Sequence, residues 1–219
     1  MSALQAVLFD MDGTIVDTEP YWIAAEYALV EAHGGTWSDQ HAHALVGNAL
    51  LASGAYIREH GNVDLEPEAI VDALLDDVVR AAGERMPWRP GARELLAVLG
   101  RADIPAAMVT MSYRRLADTV VQAIAPEQFA VVVTGDEVLD GKPHPEAYLT
   151  AAARLGAQPQ RCVAIEDSPT GIASARAAGC VVVAVPHHVP ISPEPGLTVV
   201  SSLADLDVAA LEALMRSGR

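Results

Sequence analysis

Two carboxylates spaced two apart, Asp10 and Asp12, follow directly on the apolar run from Ala6 to Phe9 and precede Gly13 and Thr14. The apolar run reads as a buried strand. In a parallel sheet the loop after a strand's C-terminal end is where ligands sit. Two acids there repel each other and lose hydration, which is costly unless a cation or a reaction uses them. An acidic surface turn would give the same string. A calcium loop of the EF-hand type fits poorly, because its third acidic position and closing Glu are missing.

Three downstream stretches carry matching chemistry. Thr110-Met111-Ser112 ends a second apolar run just before a helix that starts near Tyr113. Hydroxyls and free N–H groups at a helix start suit a phosphate, although Ser112 also reads as an ordinary N-cap. Gly141-Lys142-Pro143-His144-Pro145 holds the chain's one lysine among 14 basic residues. Where Arg serves everywhere else, a lone Lys is either a surface residue or a place that needs a compact point charge. Ile165-Glu166-Asp167-Ser168 puts a second acidic pair at a strand end. Asp167 and Ser168 also read as a helix cap, whereas burial of Glu166 without a cation would be hard to explain.

The elements that must position these residues alternate. Strand runs are expected over 6–9, 104–110, 130–134, 162–165 and 181–185, with an edge strand over 198–200. Helices are expected over 92–101, 113–125, 145–155, 169–178 and 203–215. Short apolar runs alternating with helices predict an α/β fold, a doubly wound parallel sheet covered on both faces. Between the first strand and the rest, the pattern is helical throughout: a helix of about 14 residues opens at Glu19-Pro20, followed by 38–45, 48–60 and 67–83. The expected domains are therefore a core of 1–17 with 88–219 and an all-helical insert of 18–87. Since the insert leaves the chain right after the acidic loop, it is expected to sit over that loop as a lid.

Taken together and in order, D-x-D-G-T after strand one, Thr after strand two, Lys before Pro-x-Pro and Glu-Asp after strand four resemble the haloacid dehalogenase superfamily. The insert, Asp17-Thr18-Glu19-Pro20 and Gly141-Lys142-Pro143-His144-Pro145 are similar to its subgroup of small phosphatases and beta-phosphoglucomutases, with a Rossmann-like core and a helical cap. The resemblance implies a phosphatase working through an aspartyl-phosphate. It implies Asp10 as nucleophile and Asp12 as acid and base. Mg²⁺ would be held by Asp10, the Asp12 carbonyl and Asp167. Glu166 would either reach the metal through water or hold Lys142. Lys142, Thr110 and the Met111 N–H would bind the phosphoryl group. An acid at position 12 argues against dehalogenation, since a halide leaves without a proton. Mutases of the subgroup carry a His where Trp22 stands and cations around Gly47. Here Val46 precedes Gly47 and no Arg follows before Arg58, so phosphomutase is the alternative. A binding protein that keeps the site without turnover is the second alternative.

Glu19, Trp22, Asn48, Ser112 and Arg114 are candidate substrate contacts. His41, His43, His187 and His188 lack acidic or Cys companions at ligand spacing and are expected to be solvent-exposed. Cys162 and Cys180 are expected to be buried free thiols. Fourteen basic against 29 acidic residues give a net charge of −15, which disfavours nucleic acid as a partner. No apolar run approaches a membrane span, and the N-terminus has no basic region of a signal peptide. A cytoplasmic monomer or weak homodimer acting on a small phosphorylated substrate is expected.

Overall fold

The computed structural model describes residues 4–46 and 49–217. The chain divides into two compact units, Met1–Asp17 with Trp88–Arg219, and Thr18–Pro87.

The first unit is built on a parallel sheet of β1 (Ala6–Phe9), β2 (Ala106–Val109), β3 (Val131–Val133), β4 (Cys162–Glu166), β5 (Val181–Ala184) and β6 (Leu197–Val199). Their spatial order is β3-β2-β1-β4-β5-β6. The chain order reverses at β1, and the crevice beyond such a reversal is where open α/β sheets bind ligands. Every residue of β1, β2 and β4 is buried, as strands covered on both faces must be. Register does the positioning. Phe9 pairs with Met108 on one side and with Ile165 on the other. The next residues, Asp10, Val109 and Glu166, therefore stand level across three strands.

Around the sheet lie α5 (Ala92–Arg101), α6 (Arg114–Ile124), α7 (Glu146–Arg154), α8 (Pro169–Ala177) and α9 (Val208–Ser217); the second unit holds α1 (Glu19–Ala32), α2 (Asp39–Leu45), α3 (Leu50–His60) and α4 (Pro67–Glu84). The buried face of α7 is Ala147, Tyr148, Ala151 and Ala152, and that of α8 is Gly171, Ile172, Ser174 and Ala175. Small residues let these helices approach the strands closely. Pro20 and Pro67 fall in the first turns of α1 and α4, where a missing N–H costs nothing.

Two sequence expectations need correction. The helix expected over 203–215 is broken: Leu203–Asp205 is a single 3-10 turn, and α9 starts only at Val208. Polar side chains cause the break. The Asp205 carboxylate accepts from the Ser202 N–H, and Asp207 Oδ1 accepts from the Ala210 N–H, so each acid caps a separate start. The strand expected from residue 104 begins at Ala106, because the Ile104 N–H is bound to the Leu99 carbonyl at the end of α5.

The two chain segments that leave and re-enter the first unit run side by side. Val16 bridges Trp88 in antiparallel fashion, and the Arg89 N–H donates to the Ile15 carbonyl at 2.9 Å. No helix among the described residues is long and apolar enough to cross a membrane.

Candidate active site

Lys142 is the hub. Its Nζ donates to Asp10 Oδ1 at 2.7 Å, to Glu166 Oε1 at 2.7 Å and to the Val109 carbonyl at 2.9 Å. These are the three positions that the sheet register sets level. The ammonium is almost wholly buried, with 5% of its side chain exposed. Burial works against its charge, but Asp10 and Glu166 outweigh burial and raise its pKa above the ordinary lysine value. Its loop is anchored by the Lys142 N–H on Met111 Sδ at 3.3 Å and by the Ser174 hydroxyl on the His144 carbonyl at 2.6 Å.

Glu166 is fully buried and fully engaged. Its Oε1 accepts from Lys142 and from the Tyr148 hydroxyl at 2.7 Å, and its Oε2 accepts from the Ser168 hydroxyl at 3.2 Å. Of the two roles left open for it, the geometry matches the partner of Lys142. Ser168 also caps α8 through the Gly171 N–H, as its cap reading expects. Tyr148 was not singled out in the sequence. Its partner lies 18 residues away, and no local pattern announces such a contact. Burial, then the neighbouring Glu166, raises its pKa well above the usual tyrosine range, so it acts as a donor.

Asp10 is engaged on one oxygen only. Asp10 Oδ2 is buried and accepts no hydrogen bond. Burial, opposed by Lys142 and helped by Glu166 and Asp12, pushes the Asp10 pKa up to about 7. Burial, then Asp10 and Glu166, pushes Asp167 up to about 9. Oxygens of Asp10, Glu166 and Asp167 lie within 4.8 Å of one another. Three carboxylates around one ammonium leave net negative charge in a dry site. An orphaned acceptor and hard oxygen donors at this spacing fit a divalent cation of the Mg²⁺ type. Gly13 makes room for the group: its φ is +85°, and a Cβ there would overlap Asp167 Oδ2.

Asp12 faces two hydroxyls. Ser112 Oγ donates to Asp12 Oδ2 at 2.8 Å and Thr110 Oγ1 to the same oxygen at 3.1 Å. Thus Asp10, Asp12, Thr110, Ser112, Lys142, Glu166 and Asp167 converge in the first unit, with Met111 supporting the Lys142 loop. Arg114 does not join them. Its guanidinium is engaged with Glu137 at 2.6 Å and the Val132 carbonyl at 3.0 Å. Glu19 and Trp22 stand half-buried in the first turn of α1, in the second unit. Asn48 lies outside the described residues.

The histidine expectation also needs correction. His188 is exposed as expected and His187 is half-buried, but both have an acidic companion, since their Nε2 atoms lie 2.9 and 3.1 Å from the two oxygens of Asp17. The companion was missed because it is 171 residues from His188. Arg89 Nη1 lies 2.9 Å from His187 Nδ1. The same Nη1 lies 3.3 Å from His187 Nε2. Asp17, His187 and His188 form a polar clasp beside Arg89, and their ligand atoms lie within 4.8 Å of one another. In the second unit His41 is half-buried, stacked on Trp37 and 2.9 Å from the Tyr56 hydroxyl, while His43 is exposed as expected. Cys162 and Cys180 are buried free thiols, pushed up to about 11 and about 12 by burial.

Comparison with known proteins shows the family. Residues 4–179 match the family model of the haloacid dehalogenase-like hydrolases. The chain is 36% identical over 181 residues to hexitol phosphatase A of Escherichia coli (strain K12), covering 81% of each chain. It is 30% identical over 177 residues to a phosphorylated carbohydrates phosphatase of Thermotoga maritima, covering 80% of this chain and 82% of the relative. Among solved structures, a mutant of CbbY from Rhodobacter sphaeroides in complex with xylulose-(1,5)bisphosphate superposes with a TM-score of 0.86 at 28% identity, covering 95% of this chain and 99% of that one. The family match spans most of the chain, including the loops that carry Asp10, Lys142 and Asp167, and the chain belongs to the haloacid dehalogenase-like hydrolases.

Proposed function

We propose that this protein hydrolyses a small phosphate monoester of the sugar or sugar-alcohol class, with Mg²⁺ as cofactor. It is a phosphoric monoester hydrolase of its family. The observation that carries the reading is the buried Asp10 carboxylate, held on one oxygen by Lys142 and left without a partner on the other. The substrate class rests on the relatives, named as phosphatases of hexitols and of phosphorylated carbohydrates.

In this reading an Asp10 oxygen attacks phosphorus and forms an aspartyl-phosphate, while Asp12 protonates the leaving oxygen. Asp12 then takes a proton from the water that attacks the intermediate. Lys142 stays charged throughout and offsets the negative charge on the nucleophile and the phosphoryl group. At ~4 Å and an effective dielectric near 20, each such charge pair contributes about 4 kcal/mol. Thr110 and the Met111 N–H supply phosphoryl contacts. Asp10, Asp167 and the Asp12 carbonyl would hold Mg²⁺, which when bound supplies positive charge against the phosphoryl oxygens.

The test is a panel of phosphorylated metabolites assayed for inorganic phosphate with Mg²⁺ and with EDTA. Release that EDTA abolishes is the expected result. A hexose 1-phosphate converted to its 6-phosphate would indicate the phosphomutase, and tight binding of panel members without turnover would indicate the binding protein.

A further inference from the structure

We propose that Asp17, His187 and His188 form a metal site of their own, for a borderline-soft divalent ion of the Zn²⁺ class, made of other residues than the carboxylates around Lys142. His188 Nε2 lies 2.9 Å from Asp17 Oδ1, and His187 Nε2 lies 3.1 Å from Asp17 Oδ2. One ligand atom from each of the three residues falls within 4.8 Å of the other two. A tetrahedral Zn²⁺ with bonds of about 2.0–2.2 Å sets its ligand atoms about 3.3 Å apart. The two nitrogen-to-oxygen separations already approach that edge, so small side-chain shifts let an ion take the place of the hydrogen bonds. Three protein ligands leave one position for water.

The backbone presents the two imidazoles together. In an extended strand neighbouring side chains point to opposite faces. His187 and His188 instead lie in a bend after β5, between Pro186 and Pro190, and their ring centroids are 3.9 Å apart. A proline on each side limits the freedom that the loop would lose on binding. Asp17 is the residue at which the first unit gives way to the insert, one past the Val16–Trp88 bridge. An ion here would tie the segment that leads into the insert to the loop after β5. All three side chains are partly exposed, so an ion can enter from solvent, and a net charge of −15 draws cations.

The donor set selects the metal. Two imidazole nitrogens and a carboxylate suit Zn²⁺, whereas the all-oxygen set of Asp10, Glu166 and Asp167 suits Mg²⁺. Imidazole ligates in its neutral form. Burial, opposed by Asp17 and helped by Arg89, lowers the His187 pKa, which keeps that ring neutral. When an ion takes Nε2, the ring hydrogen resides on Nδ1. Arg89 is the competitor. Its Nη1 lies 2.9 Å from Nδ1 and 3.3 Å from Nε2 of His187, and a guanidinium repels both a metal ion and an Nδ1–H. Its Nε is buried without a hydrogen-bond partner, so the guanidinium is incompletely satisfied where it stands. Zn²⁺ must push Arg89 aside, and removal of that charge should tighten binding.

The experiment titrates the full chain with Zn²⁺ by calorimetry in a large excess of Mg²⁺, which fills the hard-oxygen sites. The wild type is set against His187→Gln, His188→Gln, Asp17→Asn and Arg89→Gln. In each of the three ligand variants Zn²⁺ should bind at least about tenfold more weakly, since loss of even an outer-shell partner costs that much. In Arg89→Gln it should bind severalfold more tightly. Zn²⁺ should also raise the melting temperature of the wild type and not that of the ligand variants. Should a ligand variant fold poorly, Co²⁺ on the wild type gives a second reading, the strong visible absorption of a four-coordinate site with nitrogen ligands. No Zn²⁺ uptake by either the wild type or Arg89→Gln would overturn the proposal. So would uptake that the ligand variants leave unchanged, or Co²⁺ found only in six-coordinate, all-oxygen surroundings.

Discussion

The core unit and the helical unit each bury acid side chains, and they treat them differently. In the helical unit Glu26 is 4% exposed, with its Oε2 accepting from Trp37 Nε1 at 3.1 Å. Burial, offset in part by Trp37, pushes its pKa up to about 7. In the core unit Asp10, Glu166 and Asp167 crowd within 4.8 Å of one another, with Lys142 bound to two of them. Glu26 needs only a proton to become a satisfied neutral group. A proton on each core acid would remove the charge that holds Lys142 in place. A buried carboxyl is therefore weak evidence for chemistry; several that converge on one cation are strong evidence.

Substitutions can break this contrast in graded ways. The largest effect is expected from Asp10→Asn, which should lower kcat by about 10⁴-fold or more without lowering the melting temperature, because it removes one of the mutually repelling acids. Retained turnover in that variant would end the aspartyl-phosphate mechanism. Lys142→Met should cost both activity and about 3–5 kcal/mol of stability, since it strands Asp10 and Glu166; urea titration alongside a phosphatase assay measures both. A variant that loses activity alone would mean the acids do not depend on that ammonium.

For Glu26 the sign is opposite to that of a salt-bridged acid. Its folded pKa is raised, so the folded state keeps a proton that the unfolded state has lost. Stability from this group is complete below about pH 4.5 and is lost as pH rises towards about 7. Asp10 and Asp167 slope the same way, so the informative quantity is the difference from Glu26→Gln. That variant should flatten the profile between these pH values by about 3 kcal/mol and leave phosphate release unaltered. A profile that does not change would mean Glu26 is not held neutral. The smallest effect is expected from Tyr148→Phe, which keeps the ring beside Lys142 and removes one bond to Glu166. About 1 kcal/mol of stability and a severalfold loss of kcat are expected, and an unchanged melting curve would mean the hydroxyl is dispensable.

The strands and the acid, lysine and hydroxyl positions at their ends were legible in the sequence, because each is encoded by a local apolar run and the residue that stops it. Asp10, Thr110 and Glu166 needed only that rule. What stayed hidden depends on distant residues meeting. Tyr148 is an aromatic residue in an alanine-rich helix until the fold brings it to Glu166. His187 and His188 lack a partner until Asp17 arrives. Arg114 sits at a helix start beside the site, yet Glu137 draws it away. The break before α9 was written locally, in Ser202, Asp205 and Asp207, but the apolar residues around these acids gave the stronger helical signal.

The paired segments at Val16 and Trp88 have a consequence for the insert. Whatever is threaded between them enters and leaves through a single seam, closed by the Val16–Trp88 bridge. Seventy residues, or some other number, can be exchanged at that seam without shifting the hydrogen-bond ladder that levels Asp10 with Glu166. The insert can therefore be rewritten without moving the residues that converge on Lys142.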